Sequence, residues 1–211
     1  VMRGQDSYDT LPLAIILTAD YFITVCLEDT PVLSEFNENT AKLFRTFKKT
    51  RFLFQILYKS ATFYLRYLRQ INKHSDEIEL NLRRSMENSD ILRLLELQKG
   101  LTYFSAALRS NGAVLDKLLR LRSNQSLTPI IKIYEEDEDL LEDVIIENKQ
   151  AREMVELYNK ILARMSDTFS SIISNNQNLV MKFLAAMTII LAIPTVISSF
   201  FGMNVPVPLA D

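Results

Sequence analysis

Eight carboxylates crowd into the stretch YEEDEDLLEDVIIEN: Glu135, Glu136, Asp137, Glu138, Asp139, Glu142, Asp143 and Glu147. Carboxylate oxygens are the ligands that hard divalent cations take, so such a run has two readings. A solvated first helical turn that complements the positive end of the helix dipole accounts for most of its members. The other reading is regulation, in which bound cations would neutralise the repulsion among clustered carboxylates. The remaining chemistry is thin. His74 and Cys26 are each the sole residue of their type, which leaves no zinc site, catalytic triad or Cys–His pair. There is no P-loop, no dinucleotide fingerprint and no pair of carboxylates set for acid–base work, so no enzyme is expected. Towards the end stands Gly202-Met203-Asn204, a tripeptide with no acid, base or nucleophile, directly after a long apolar stretch.

Composition narrows the partners. The formal net charge of −2 offers no basic field for nucleic acid. Tyr64, Tyr67, Arg66 and Arg69 do interleave aromatic and basic side chains, but packing within a helical hairpin explains them. Apolar residues make up 48% and charged residues 24%, with only 4 glycines and no tryptophan, a balance that favours long helices. One cysteine forms no intrachain disulfide and fits a reducing compartment. The opening VMRGQDSYDT has no apolar signal core and no usual initiator, so the chain is expected to be part of a longer protein.

These residues must be positioned by elements of two kinds. Leu13–Leu17 and Tyr21–Leu27 are short β-prone runs parted by a polar break, which predicts a hairpin. Two strands alone are marginal in water, so residues 1–40 are expected to be the edge of a larger α/β sheet. Over residues 41–133 the period lengthens to 3.6, with Leu53, Ile56, Phe63, Tyr67, Ile71, Ile78 and Leu82 on one helix. After SMENSD, where Ser89 is the expected cap, Ile91, Leu94, Leu101, Phe104, Leu108, Leu115 and Leu118 lie on a second. That is an antiparallel helix pair, followed by the linker RSNQSLTPI with Pro129 as its stop. His74 is expected on the surface of the pair. Residues 134–182 read as a stalk: Val144, Ala151, Tyr158, Met165, Ile172 and Leu179 recur every seven, with Val155, Leu162 and Phe169 in the neighbouring row. Unbroken, Tyr134 to Phe201 is about 100 Å of helix. The fold class is therefore α+β and predominantly long helix, with the remnant of an N-terminal sheet.

Residues 183–201 carry no charge and are long enough to cross a bilayer core of about 30 Å. Pro194 is tolerated in such a helix. Lys182, Arg164 and Lys160 precede the span and no Lys or Arg follows it, which places the bulk of the chain on the cytoplasmic side of the plasma membrane. Asn178, Met181, Leu184, Thr188, Leu191 and Thr195 step by three and four along one stripe. Such a stripe serves helix packing or lines a pore, and periodicity alone favours packing.

With Asn178, Val180, Met181 and Lys182 before it, Pro194 within it and Gly202-Met203-Asn204 after it, this span resembles the first transmembrane helix of the CorA family of magnesium channels. The resemblance extends over essentially the whole chain and is sharpest over residues 134–206. It implies a homopentamer in the lipid membrane that passes divalent ions, Mg²⁺ above all, into the cytoplasm. On that analogy Gly202, Met203 and Asn204 (residues 202–211 forming the outer loop) are the selectivity mouth. Asn178, Met181, Leu184 and Thr195 would line the pore, with Met181 and Leu184 as its apolar gate. Asp143 would hold a regulatory Mg²⁺ between subunits that keeps the channel closed. An amide ring suits Mg²⁺, which sheds its waters reluctantly. The proline stands one residue nearer the tripeptide than in many relatives, so the register between Thr188 and Thr195 stays open, and Phe201 replaces a frequent tyrosine. The rival readings are a membrane-anchored helical scaffold without conduction, and a related transporter for Zn²⁺, Co²⁺ or Ni²⁺.

Overall fold

The structure is a computed structural model, and it describes residues 2–4, 6–84, 88–123 and 131–202. It is predominantly helical with one small sheet. Strands β1 (Leu13–Leu17) and β2 (Phe22–Cys26) pair antiparallel, Leu13 opposite Cys26 and Leu17 opposite Phe22. The turn is closed by Thr18, whose backbone N–H donates to Tyr21 O at 2.9 Å while its hydroxyl accepts from Tyr21 N, also at 2.9 Å. Alternation then sends Ile15, Leu17 and Phe22 towards the helices and leaves Ile16, Ile23 and Val25 exposed.

The first long helix starts later than the change of period at Thr40 suggests. A short helix α1 (Pro31–Ser34), capped by Thr30, and a 3-10 turn over Glu38–Leu43 come first. Helix α2 (Lys49–Arg84) follows, then α3 (Asn88–Ser123) and α4 (Glu135–Phe201). Ser89, expected as a cap, falls inside the first turn of α3, which opens one residue earlier. Of the expected linker, Arg122 and Ser123 still belong to α3, and residues 124–130, Pro129 among them, lie outside the described residues.

Two compact units divide the chain, Val1–Met165 and Ser166–Asp211. In the first, the core runs along the helix pair through Phe54, Ile56, Leu68, Ile71, Leu97, Leu101, Phe104 and Leu108, each at most 1% exposed. The first part of α4 adds Leu141, Val144, Ala151, Val155 and Leu162, which are equally buried. These are members of the seven-residue rows, so the coiled-coil period in the sequence has a packed face to answer it. One buried polar residue interrupts it: Asn148 donates Nδ2 to Leu108 O at 3.3 Å, opposite Gly112, whose missing side chain leaves room. Ring contacts at 4.8 to 5.6 Å among Phe22, Phe36, Phe44 and Phe52 bind the hairpin and α1 region to α2.

His74 is not a free surface residue. The segment before β1 lies against the helix pair, where Asp6 is 8% exposed and its Oδ1 stands 3.0 Å from His74 Nδ1. Arg93 Nε donates to Asp6 Oδ2 at 2.7 Å and Arg93 Nη1 to Asp90 Oδ1 at 3.0 Å. The seven-residue rows cannot report this contact, because its partner sits 68 positions upstream in a segment without periodicity.

Candidate functional site

The acidic run opens α4 and is partly spent on structure. Asp137 is buried and accepts from Arg51 Nη1 at 3.0 Å, and the same guanidinium nitrogen donates to Glu136 O at 2.9 Å. Lys48 Nζ lies 2.5 Å from Glu136 Oε1. That hydrogen bond and charge hold the Glu136 carboxyl below its ordinary range, with Arg51 and Arg45 adding smaller contributions. Glu135 to Glu138 occupy the first turn, where the helix dipole favours them.

Asp143 is placed differently. It is exposed, and its side chain has no ion-pair or hydrogen-bond partner among the described residues. Asp139 and Glu147 stand one turn to either side of it, a spacing at which like charges repel by a few tenths of a kcal/mol. Among the described residues no group of three or more His, Cys, Asp or Glu side chains is arranged to hold a metal ion. Asp143 can therefore supply one carboxylate to a divalent ion that keeps most of its waters. It cannot enclose one by itself.

In the second unit the helix carries a window of mean hydropathy 2.2, none of it buried, and it is long and apolar enough to cross a membrane. Met181 is 64% exposed and Leu184 52%. Asn178 and Thr195 are exposed as well, so all four expected pore-lining residues lie on uncovered helix surface. Apolar surface of this extent demands a lipid or protein partner. Thr188 donates its hydroxyl to Leu184 O and Thr195 to Leu191 O, both at 2.8 Å. Each polar group is thereby satisfied within its own helix, as a bilayer requires. Pro194 lies inside the helix and has no N–H to give the preceding turn. At the end, Gly202 N donates to Ser198 O at 3.0 Å. A Cβ on Gly202 would stand 3.2 Å from that same oxygen, a tight approach. Met203 and Asn204 lie outside the described residues.

Sequence reasoning missed two features of the first unit. One is the Asp6–His74–Arg93 cluster. The other is a basic groove at the start of α2, lined by Lys48, Arg51 and Lys132. Its signal was present as the run FKKTR, which stands just where the helix begins.

The described residues thus hold a two-stranded sheet, a long helix pair, and a long helix with an uncovered apolar stretch long enough to cross a membrane. The family is then given by comparison. Residues 2–211 match the model of the CorA-like Mg²⁺ transporter proteins, and the chain belongs to that family. The cobalt/magnesium transport protein CorA of Methanocaldococcus jannaschii is 31% identical over 160 residues, a match covering 75% of this chain and 48% of that protein. The chain thus spans about half the length of the curated relative it matches. The complete structure of the CorA magnesium transporter from the same organism superposes with a TM-score of 0.71 at 25% identity, covering 95% of this chain and 67% of the other. The structure of its soluble domain shares the fold, with a TM-score of 0.56 at 22% identity over 79% of this chain and 71% of that one.

Proposed function

We propose that this chain forms part of a homopentameric channel that conducts Mg²⁺ across the plasma membrane into the cytoplasm and closes when cytoplasmic Mg²⁺ rises. Membership of a magnesium-transporter family over residues 2–211, apolar span and Gly-Met-Asn included, is the observation that carries this reading. The mechanism uses the chain's own groups. Asn204 presents a neutral carboxamide oxygen to the waters of a hydrated ion, which weakens the grip enough for the ion to move on. Met181 and Leu184 form the apolar constriction. Asn178 and Thr195 supply polar rings on either side of it. With its hydroxyl proton given to Leu191 O, Thr195 turns lone pairs outward, the polarity that the waters around a cation seek. Asp143 binds regulatory Mg²⁺ together with a carboxylate from a neighbouring subunit, relieving repulsion along Asp139, Asp143 and Glu147. Because the curated relative is a cobalt/magnesium transport protein, Co²⁺ is the second ion to test.

The test is uptake into liposomes loaded with an ion-sensitive dye, using the full-length protein and Asn204→Ala beside it. Uptake of Mg²⁺ that collapses in the variant, with assembly intact, supports the mouth. Asp143→Ala is expected to keep conducting at internal Mg²⁺ that silences the parent. No flux of Mg²⁺, Co²⁺, Zn²⁺ or Ni²⁺ at low internal Mg²⁺ would sink the channel reading and leave the anchored scaffold.

A further inference from the structure

A groove of about 510 Å³ opens in the first unit, at the start of α2 and beside the start of α4, with Phe47, Thr50, Lys132 and Tyr134 in its lining. That volume is in the range of small-molecule sites. Its cations are unevenly engaged. Lys49 gives Nζ to the carbonyls of Thr18 and Ala19 in the hairpin turn. Lys48 and Arg51 hold Glu136 and Asp137. Lys132 is exposed and has no side-chain partner among the described residues. Four cations against two carboxylates leave the lining with a surplus of positive charge.

Two further observations point to a ligand of a particular kind. Thr50 lines the groove, is only 7% exposed, and its hydroxyl makes no hydrogen bond among the described residues. The hydroxyl itself is not fully enclosed and opens to the groove, where it can donate or accept. It stands in the first turn of α2, whose leading amides have no acceptor within the helix. On the rim, Phe47 is 71% exposed and Tyr134 59%, two large rings uncovered beside lysines. Glu136 already sits on this rim as an anion, exposed and hydrogen-bonded to Lys48.

We propose that this groove is a nucleotide site. The phosphoryl groups take the place of the Glu136 carboxylate on Lys48, bind Lys132, and accept from the Thr50 hydroxyl and the first amides of α2. The base lies against Phe47 and Tyr134. Lysine as a point charge and a helix N-terminus are ordinary partners of phosphate, while exposed aromatic rings serve a planar base and add nothing to the capture of phosphate alone. This inference does not depend on ion conduction.

The experiment is calorimetric titration of the full-length protein in detergent and in divalent-free buffer, with ATP, tripolyphosphate and inorganic phosphate in separate runs. ATP is expected to bind about tenfold tighter than tripolyphosphate, the worth of base stacking. Lys132→Glu, a change at an exposed and unpartnered position, should weaken both by about tenfold or more. Phe47→Ala should weaken ATP alone. Thr50→Val keeps the side-chain volume and should weaken every phosphate ligand. No binding of ATP at millimolar concentration, or equal affinity in the parent and Lys132→Glu, overturns the site. Equal affinity for ATP and tripolyphosphate overturns its assignment to nucleotides.

Discussion

Replacing Gly100 by alanine should destabilise this protein, although the same change one helix face away should not. Gly100 sits in α3, where alanine for glycine ordinarily gains about 0.5–1 kcal/mol. At this position, however, a Cβ would stand 2.9 Å from Tyr8 Cβ and 3.4 Å from Tyr8 O. Tyr8 has little room to retreat. It is 2% exposed, and its ring meets Tyr67 at 6.0 Å, Phe104 at 6.1 Å and His74 at 6.5 Å. Losing two of three such ring contacts costs about 1–3 kcal/mol, and the alanine gain set against it leaves a net loss of up to about 2.5 kcal/mol. For a chain of this length that lowers the melting midpoint by up to about 10 °C. Gly112→Ala is the matched control. Its Cβ would meet only Arg152 Nη1 and Asn148 Nδ2, both at 3.5 Å, an ordinary contact, so it should hold or raise the midpoint. Far-ultraviolet circular dichroism of the two variants in one detergent decides the matter. If both substitutions raise the midpoint, the segment around Tyr8 is not seated on α3 and the steric reasoning fails.

Asp6→Asn should cost about 1.5–3 kcal/mol, because it leaves Arg93 and His74 facing a neutral amide where they had a buried carboxylate. Lys73→Ala, which removes only an exposed pair with Glu77 at 3.9 Å, should change the same melts by less than about 0.5 kcal/mol; equal losses would refute the distinction. Burial pushes the Tyr64 phenol up to about 12, and burial, then the charge of Asp6 and Tyr67, do the same for Tyr8. Between the ordinary value of 10.0 and about 12 these groups ionise in the unfolded chain while the folded chain keeps their protons. The folded state then binds more protons, so stability should fall as pH rises across that window. Phenolate absorbance should lose a late-titrating component in Tyr8→Phe and in Tyr64→Phe; titration curves above the ordinary value that lose no such component in either variant would contradict it.

What the sequence could express depended on whether a position answers to its near neighbours. The hairpin, the helix pair and the long helix were legible because Leu13–Leu17 and Tyr21–Leu27 are β-prone runs parted by a polar break and Val144, Ala151 and Met165 repeat every seven. The span was legible because residues 183–201 lack charge. The late start of α2 was not, since Thr30 and Asn37 build a short helix and a 3-10 turn through local caps that leave little periodic trace. Nor was the seat of Asp6, whose partners His74 and Arg93 lie on two different helices. The basic groove joins residues 47–51 to residues 132–137, and no spacing rule connects them. Asn178, Met181, Leu184 and Thr195 could be placed on one stripe by counting, but the roles proposed for them rest on resemblance, because a packing stripe and a pore stripe obey the same period.

The change of environment along α4 follows from the same logic. Its seven-residue rows persist from Leu141 to Leu179, yet Val155 and Leu162 are at most 1% exposed while Leu179 is 55% exposed. Period alone does not report that difference, but the residues between the rows do change along the helix. Up to Lys160 they include Glu153, Arg152 and Glu156, which keep the outer face in water and leave one apolar stripe to pack. Beyond Lys182 they become Ala185, Ile189, Ile193 and Val196, and the helix is apolar all round. A helix of that kind needs a surrounding that asks nothing of its side chains, and the hydroxyls of Thr188 and Thr195, turned onto carbonyls at 2.8 Å, already meet that demand. The same two threonines keep unshared oxygen lone pairs on the stripe that starts at Asn178. One back-bonded hydroxyl thus serves both halves of the proposed function, insertion into lipid and passage of a hydrated cation.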